Sequence, residues 1–169
     1  EERFTRRKHT IEFPVNSVAH CLRMAGLSTA DIEHIAVSIK PTLNWPEKLV
    51  HGLRHPTGAA GFAKHEVVRA WFRQREFWSW YRSIWANGRG PVVHFVPHHL
   101  AHGAGSFYVS PYDSAAIMSL DGSGEWATAY LGHGKGQRVD RLVESYHPNS
   151  LGSFYEAATE FCGFKPNYD

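Results

Sequence analysis

The sequence predicts an α/β domain with a mixed sheet, and three observations carry that prediction. Short strand-like apolar runs at residues 35–39, 91–96 and 114–120 alternate with longer segments whose apolar residues recur at helical spacing. Residues 114–147 hold three strand-like runs in succession, which makes that part of the sheet antiparallel. The 169 residues, 43% of them hydrophobic, are enough for one core and part of another.

The elements follow in order. Residues 1–10 carry Arg3, Arg6, Arg7 and Lys8 and read as a solvated charged loop, with an anion-binding arm as the alternative. Phe13-Pro14 opens a helix with its apolar stripe on Val15, Val18, Ala19 and Leu22, and Gly26 ends it. Ser28 caps a short second helix through Asp31 and Glu33. Residues 35–39 form a buried strand closed by Pro41. Residues 41–62, with three prolines and three glycines, read as irregular with one helical turn. His51 and His55 there have the spacing of a ligand pair, but Gly52, Pro56 and the lack of a nearby carboxylate argue against a metal. Residues 64–86 give the longest helical pattern, from Val67 and Val68 through Trp71 and Phe72 to Ile84 and Trp85. Its interleaved basic residues read as stems lying over a packed aromatic face, ahead of base stacking or an acceptor wall.

Residues 91–96 are a second strand. His98 then opens a helix reaching Phe107 and Tyr108, and Pro111 breaks it. Residues 114–120 form a buried strand ending at Asp121. Residues 126–131 form the next, His133-Gly134-Lys135-Gly136 the hairpin turn, and residues 139–146 its partner. Ser150 starts a last helix that Gly163 stops.

Composition narrows the partners. The 18 Lys+Arg against 16 Asp+Glu leave a net charge of +2, so neither nucleic acid nor a membrane surface is expected. No apolar run approaches the roughly 20 residues that span a bilayer, and no signal peptide is evident, so a cytoplasmic location is expected. Cys21 and Cys162 read as buried thiols of a reducing compartment. The charged opening without Met and the stop just after a helix lead us to expect a piece of a longer polypeptide.

Two stretches carry chemistry. His98 and His102 stand four apart on a helix, so their imidazoles share a face. Asp121, ending an apolar strand, offers a carboxylate that such a strand would not hold without a partner. Two imidazoles and one carboxylate suit Fe(II), Zn(II) or Mn(II), with positions left open for substrate. His99 points elsewhere and is a candidate for substrate contact, for support of the site, or for a buried hydrogen-bonded role. Asp121-Gly122-Ser123-Gly124-Glu125 reads as a tight turn whose amides can approach a phosphate, or as an ordinary hairpin.

These blocks resemble a known family. Pro97-His98-His99-Leu100-Ala101-His102, Ser106-Phe107-Tyr108, Asp121-Gly122 with Gly124-Glu125-Trp126-Ala127-Thr128, and Pro148-Asn149-Ser150-Leu151-Gly152 with Phe154-Tyr155 are similar to the amino-terminal domain of the O-carbamoyltransferases. These are the nodulation-factor, aminoglycoside, ansamycin and cephalosporin carbamoyltransferases. Glu1-Glu2-Arg3-Phe4-Thr5-Arg6 with Lys8-His9 matches their early charged segment, and residues 41–90 contribute least.

The resemblance implies an actin/sugar-kinase/Hsp70-like (ribonuclease H-like) fold, incomplete at both ends. Residues 1–110 would form most of its first half and residues 111–169 the opening of the second. It implies carbamoyl transfer from carbamoyl phosphate, through a carbamoyl-adenylate made with ATP, to a hydroxyl of a small-molecule acceptor. A divalent metal, Fe(II) foremost, would sit on His98, His102 and Asp121. Gly122, Ser123, Gly124 and Glu125 would lie by the adenylate phosphate. Lys8 would lie near the reactive group, with His99 as the other catalytic candidate in this sequence. An amino-terminal His of the family is absent and is placed ahead of His99 as the acceptor's base. A later metal-binding Asp and the carboxy-terminal domain are also absent, so the piece alone is expected to be inactive. A tRNA threonylcarbamoyl transferase shares the two-His helix and is the alternative enzyme. A non-catalytic module with a structural metal is the alternative of another class.

Overall fold

The computed structural model describes residues 1–7, 13–56, 71, 74–86 and 89–166. The chain divides into two compact units: Glu1–Ile35 with Leu49–His94, and Ala36–Lys48 with Phe95–Asp169.

In the first unit, Glu2–Thr5 (α1) forms one helical turn where a loop is predicted. Glu1 explains why the segment is ordered. Its carboxylate accepts from the Ser17 N–H (3.1 Å) and the Asn16 side chain (2.6 Å), at the open N-terminus of the helix Val15–Ala25 (α2). Pro14, the cap residue of α2, has no side-chain acceptor to offer those N–H groups. Gly26 ends α2 as expected, in the left-handed region with its N–H on the Arg23 and Leu22 carbonyls. Ser28 and Asp31 then form a capping box around the 3-10 turn Thr29–Asp31. The predicted long helix is described from 74 to 84 (α4), with Val67, Val68 and Phe72 outside the described residues. Phe77 is buried in it, Phe13 stacks on Trp80 with ring centroids 4.2 Å apart, and the Arg75 guanidinium lies over the exposed Trp71 ring.

The irregular reading of residues 41–62 is corrected by Trp45–Arg54 (α3), a ten-residue helix. Pro46 lies in its first turn, where a missing N–H leaves no bond unmade, so it starts the helix rather than breaking it. His51 and His55 bring their ring centroids to 4.5 Å, but they belong to no group of three metal donors among the described residues.

His34–Val37 (β1) and Val92–Phe95 (β2) form a two-stranded sheet. The Val92 N–H bonds the Glu33 carbonyl and the Val96 N–H the Val37 carbonyl, at constant offset, so the pair is parallel. Both strands alternate exposed and half-buried residues, so the buried strand expected at 35–39 is not found.

The second unit holds the antiparallel sheet Ser114–Gly124 (β3), Ala127–Lys135 (β4) and Arg138–Tyr146 (β5), in that spatial order. The helix His98–Phe107 (α5) packs on one face of it. Phe107, Ile117 and Tyr130 form the core, with Leu100, Ala115 and Val139 against them. β4 runs on through His133 and Lys135, so the turn predicted at 133–136 falls at 136–137 instead. Gly136 alone in that stretch has a left-handed φ (55°), which fixes the turn there. Leu151–Phe161 (α6) follows the sheet and lies along β3. The thiols expected to be buried are exposed: Cys21 sits on α2 and Cys162 ends α6, and neither helix buries a residue among those described.

Candidate metal centre

Pro97 is extended (φ −53°, ψ 139°), and α5 begins at the next residue. That start sets the helical phase. His98 and His102, one turn apart, fall on the same side, and His99 turns into the sheet. Asp121 arrives from β3. The β3–β4 ladder is regular up to the pair Leu120–Ala129 and resumes at Gly124–Ala127, so residues 121–123 bulge out of it. The expected strand end is therefore a bulge within a longer strand, and the two-residue turn is Glu125-Trp126.

The three side chains converge. His98 Nε2 lies 2.7 Å from Asp121 Oδ2 and 3.1 Å from His102 Nε2, and His102 Nε2 lies 4.0 Å from Asp121 Oδ2. Ligands held about 2.1 Å from one ion at tetrahedral or octahedral angles sit roughly 3.0–3.4 Å apart, so the observed distances bracket what one divalent ion needs. Two imidazole nitrogens facing a common carboxylate oxygen are a chemically suitable donor set. This trio is the one group of three or more such donors among the described residues. Exposure rises from His98 (28%) through Asp121 (42%) to His102 (60%), so one side of the trio faces solvent. Partial burial pushes the Asp121 carboxyl up. The His98 hydrogen bond, the Gly122 N–H and the charges of His98 and His99 outweigh that, and the net direction is down.

His99 is 2% exposed, with Nδ1 2.8 Å from Ser119 Oγ and Nε2 3.0 Å from the Ala127 carbonyl. Both ring nitrogens are engaged inside the sheet, so the geometry gives it a supporting place under the site. Lys8 lies outside the described residues.

The glycine stretch is arranged differently from a turn presenting open amides. Gly122 donates its N–H to Asp121 Oδ1 at 2.7 Å, which orients the carboxylate. Gly124 is buried, and a Cβ on it would overlap the His98 ring. Ser123 is exposed. Glu125 has a left-handed φ of 48°, and its carboxylate accepts from the His98 N–H (3.1 and 3.2 Å) and the Lys40 N–H (2.7 Å). Sequence reasoning missed Ser150 and Gly152 as parts of the site's frame. Ser150 caps α6 through the Ser153 N–H, and its hydroxyl reaches the Asp121 (3.1 Å) and Gly122 (2.9 Å) carbonyls. A Cβ on Gly152 would overlap the Asp121–Gly122 peptide. The capping role was readable from Ser150 itself; the second grip depends on a bulge that no local pattern announces.

A family model described as the carbamoyltransferase N-terminus matches residues 1–169. The chain belongs to the carbamoyltransferase N-terminal family. Among relatives, it is 34% identical over 175 residues to an uncharacterized protein of Synechocystis sp., covering 99% of this chain and 28% of that protein. It is 27% identical over 169 residues to the nodulation protein NolNO of Sinorhizobium fredii, covering 97% of this chain and 23% of that one. An uncharacterized protein of Methanocaldococcus jannaschii is 24% identical over 169 residues, covering all of this chain and 26% of its own length. The carbamoyltransferase-family chain thus spans about a quarter of these relatives. Among its described residues, no helix is long and apolar enough to cross a membrane.

Proposed function

We propose that the polypeptide to which this chain contributes transfers a carbamoyl group to a hydroxyl of a small-molecule acceptor. The donor is carbamoyl phosphate: with water it gives up inorganic phosphate, and the carbamate oxygen then displaces pyrophosphate from the α-phosphorus of ATP to form a carbamoyl-adenylate. The acceptor hydroxyl gives its proton to a base as its oxygen bonds to the carbamoyl carbon, the bond from that carbon to the adenylate phosphate oxygen breaks, and AMP leaves. The observation that carries this is the convergence of His98, His102 and Asp121 in a chain matched throughout by the carbamoyltransferase N-terminal family.

His98 and His102 would hold a divalent metal, Fe(II) before Zn(II) or Mn(II), through Nε2, and Asp121 through Oδ2. A bound ion supplies Lewis-acid polarisation of the reacting group. The residues of the chain do the rest. Gly122 keeps the Asp121 carboxylate aimed, and His99 fixes the α5 face that presents the other two donors. By the family resemblance, Gly122, Ser123, Gly124 and Glu125 would lie by the leaving phosphate; of these, Gly122 and Ser123 share the bulge of Asp121. Lys8, carried over from the family resemblance, is the proposed source of positive charge for the reaction. From the family resemblance we carry an actin-like arrangement, with residues 1–110 in the first half and 111–169 opening the second.

The test is metal analysis of the full-length protein, purified without oxygen, beside Asp121→Ala, followed by assay with ATP and carbamoyl phosphate. Near-stoichiometric metal in the parent and its loss in the variant, with pyrophosphate release in the assay, are the expected results. Retained transfer in His102→Ala would sink the metal's role.

A further inference from the structure

We infer that Glu125 is a positioning residue for the metal centre, locking the start of α5, and with it His98, to the segment that follows β1. The inference rests on the metal reading of His98, His102 and Asp121. Four observations support it. The first helical residue of α5 is itself a metal-ligand candidate, so the phase of its first turn sets where the imidazole points. The cap residue is Pro97, which contributes no side-chain hydrogen bond there. The Glu125 carboxylate fills that place, accepting from the His98 N–H through both oxygens and from the Lys40 N–H through Oε1. A carboxylate is the suitable group, since helix N-termini attract negative charge.

The fourth observation is the backbone. Glu125 is left-handed (φ 48°), a conformation that costs a β-carbon-bearing residue about 1 kcal/mol or more and that Gly adopts freely. A Gly would make the turn more easily; what it could not supply is the carboxylate. The same turn brings Gly124 under the His98 ring, close enough that a Cβ would overlap it. Residues 124 and 125 therefore restrain His98 from two directions, ring and backbone. The carboxylate is taken up by these two N–H groups, which makes Glu125 a support of the ligand set and not a contact for phosphate.

The test uses Co(II) titrations of the full-length polypeptide, followed by the visible absorption of bound Co(II) and by competition with a chelator. Glu125→Gly removes the carboxylate and relaxes the turn, so its fold is not put at risk by the backbone. It is expected to weaken Co(II) binding about 10–100-fold, the usual loss when support of a metal ligand is removed. Glu125→Gln keeps Oε1, the oxygen that reaches both N–H groups, and is expected to bind closer to the parent than to Glu125→Gly. Parent-like affinity in Glu125→Gly would overturn the inference. So would equal weakening in both variants, which would assign the effect to charge instead of to the hydrogen bonds. A parent that binds no Co(II), or a His102→Ala variant that binds it as the parent does, would instead remove the metal reading itself.

Discussion

Two pairs of histidines in this chain bring ring nitrogens to nearly the same separation. His98 and His102 on α5 are 3.1 Å apart, and His34 and His94 on β1 and β2 are 3.0 Å apart. The pairs differ in what surrounds them. The first has a carboxylate oxygen within 4.0 Å of both nitrogens, a glycine under one ring and a carboxylate on the helix start. The second belongs to no group of three donors among the described residues. Spacing alone makes a pair; a third donor and a frame that holds the rings in place make a candidate centre.

The sharpest way to break that comparison is to remove one member from each side. Asp121→Ala should weaken Co(II) or Zn(II) binding by more than the roughly 10–100-fold that loss of a supporting bond costs, whereas His34→Ala should leave it unchanged. Equal losses in chelator competition would erase the distinction between the pairs.

Stability should separate the histidines as well. His99→Leu removes two buried hydrogen bonds and strands Ser119 and the Ala127 carbonyl, so it should cost about 2–4 kcal/mol in denaturant unfolding. His34→Leu, at an exposed site, should stay within about 0.5 kcal/mol.

Ser150→Ala should cost about 1 kcal/mol as the loss of a helix cap, and more if its grip on the bulge counts separately. A double-mutant cycle with Asp121→Asn would measure that second part. Tyr130 is the inverse of His99, and its change is expected to carry the opposite sign. Its hydroxyl is buried with no partner among the described residues, so Tyr130→Phe should be neutral or stabilising by up to about 1 kcal/mol. A clear loss would mean that the hydroxyl is satisfied by bound water.

Elements whose signals are local were legible in the sequence. Gly26 ended α2, Ser28 and Asp31 made the capping box, and the two-His spacing gave the shared face of α5. What stayed hidden depends on long-range contacts. The bulge at residues 121–123 exists only against β4, and Glu125 finds its partners 27 and 85 residues away. Residues 41–62 were misread for a different reason: a proline such as Pro46 marks a break inside a helix but a start in its first turn, and counting prolines does not tell which. The cysteines were misplaced because apolar periodicity on α2 and α6 was equated with burial, which needs a neighbouring element to cover the stripe.

The close approach at Gly152 has a mechanical meaning. α6 is a rod ~16 Å long, and its first turn rests directly on the peptide that carries Asp121. No side chain fits between that first turn and the peptide, so any residue other than Gly at 152 must displace the backbone that carries Asp121.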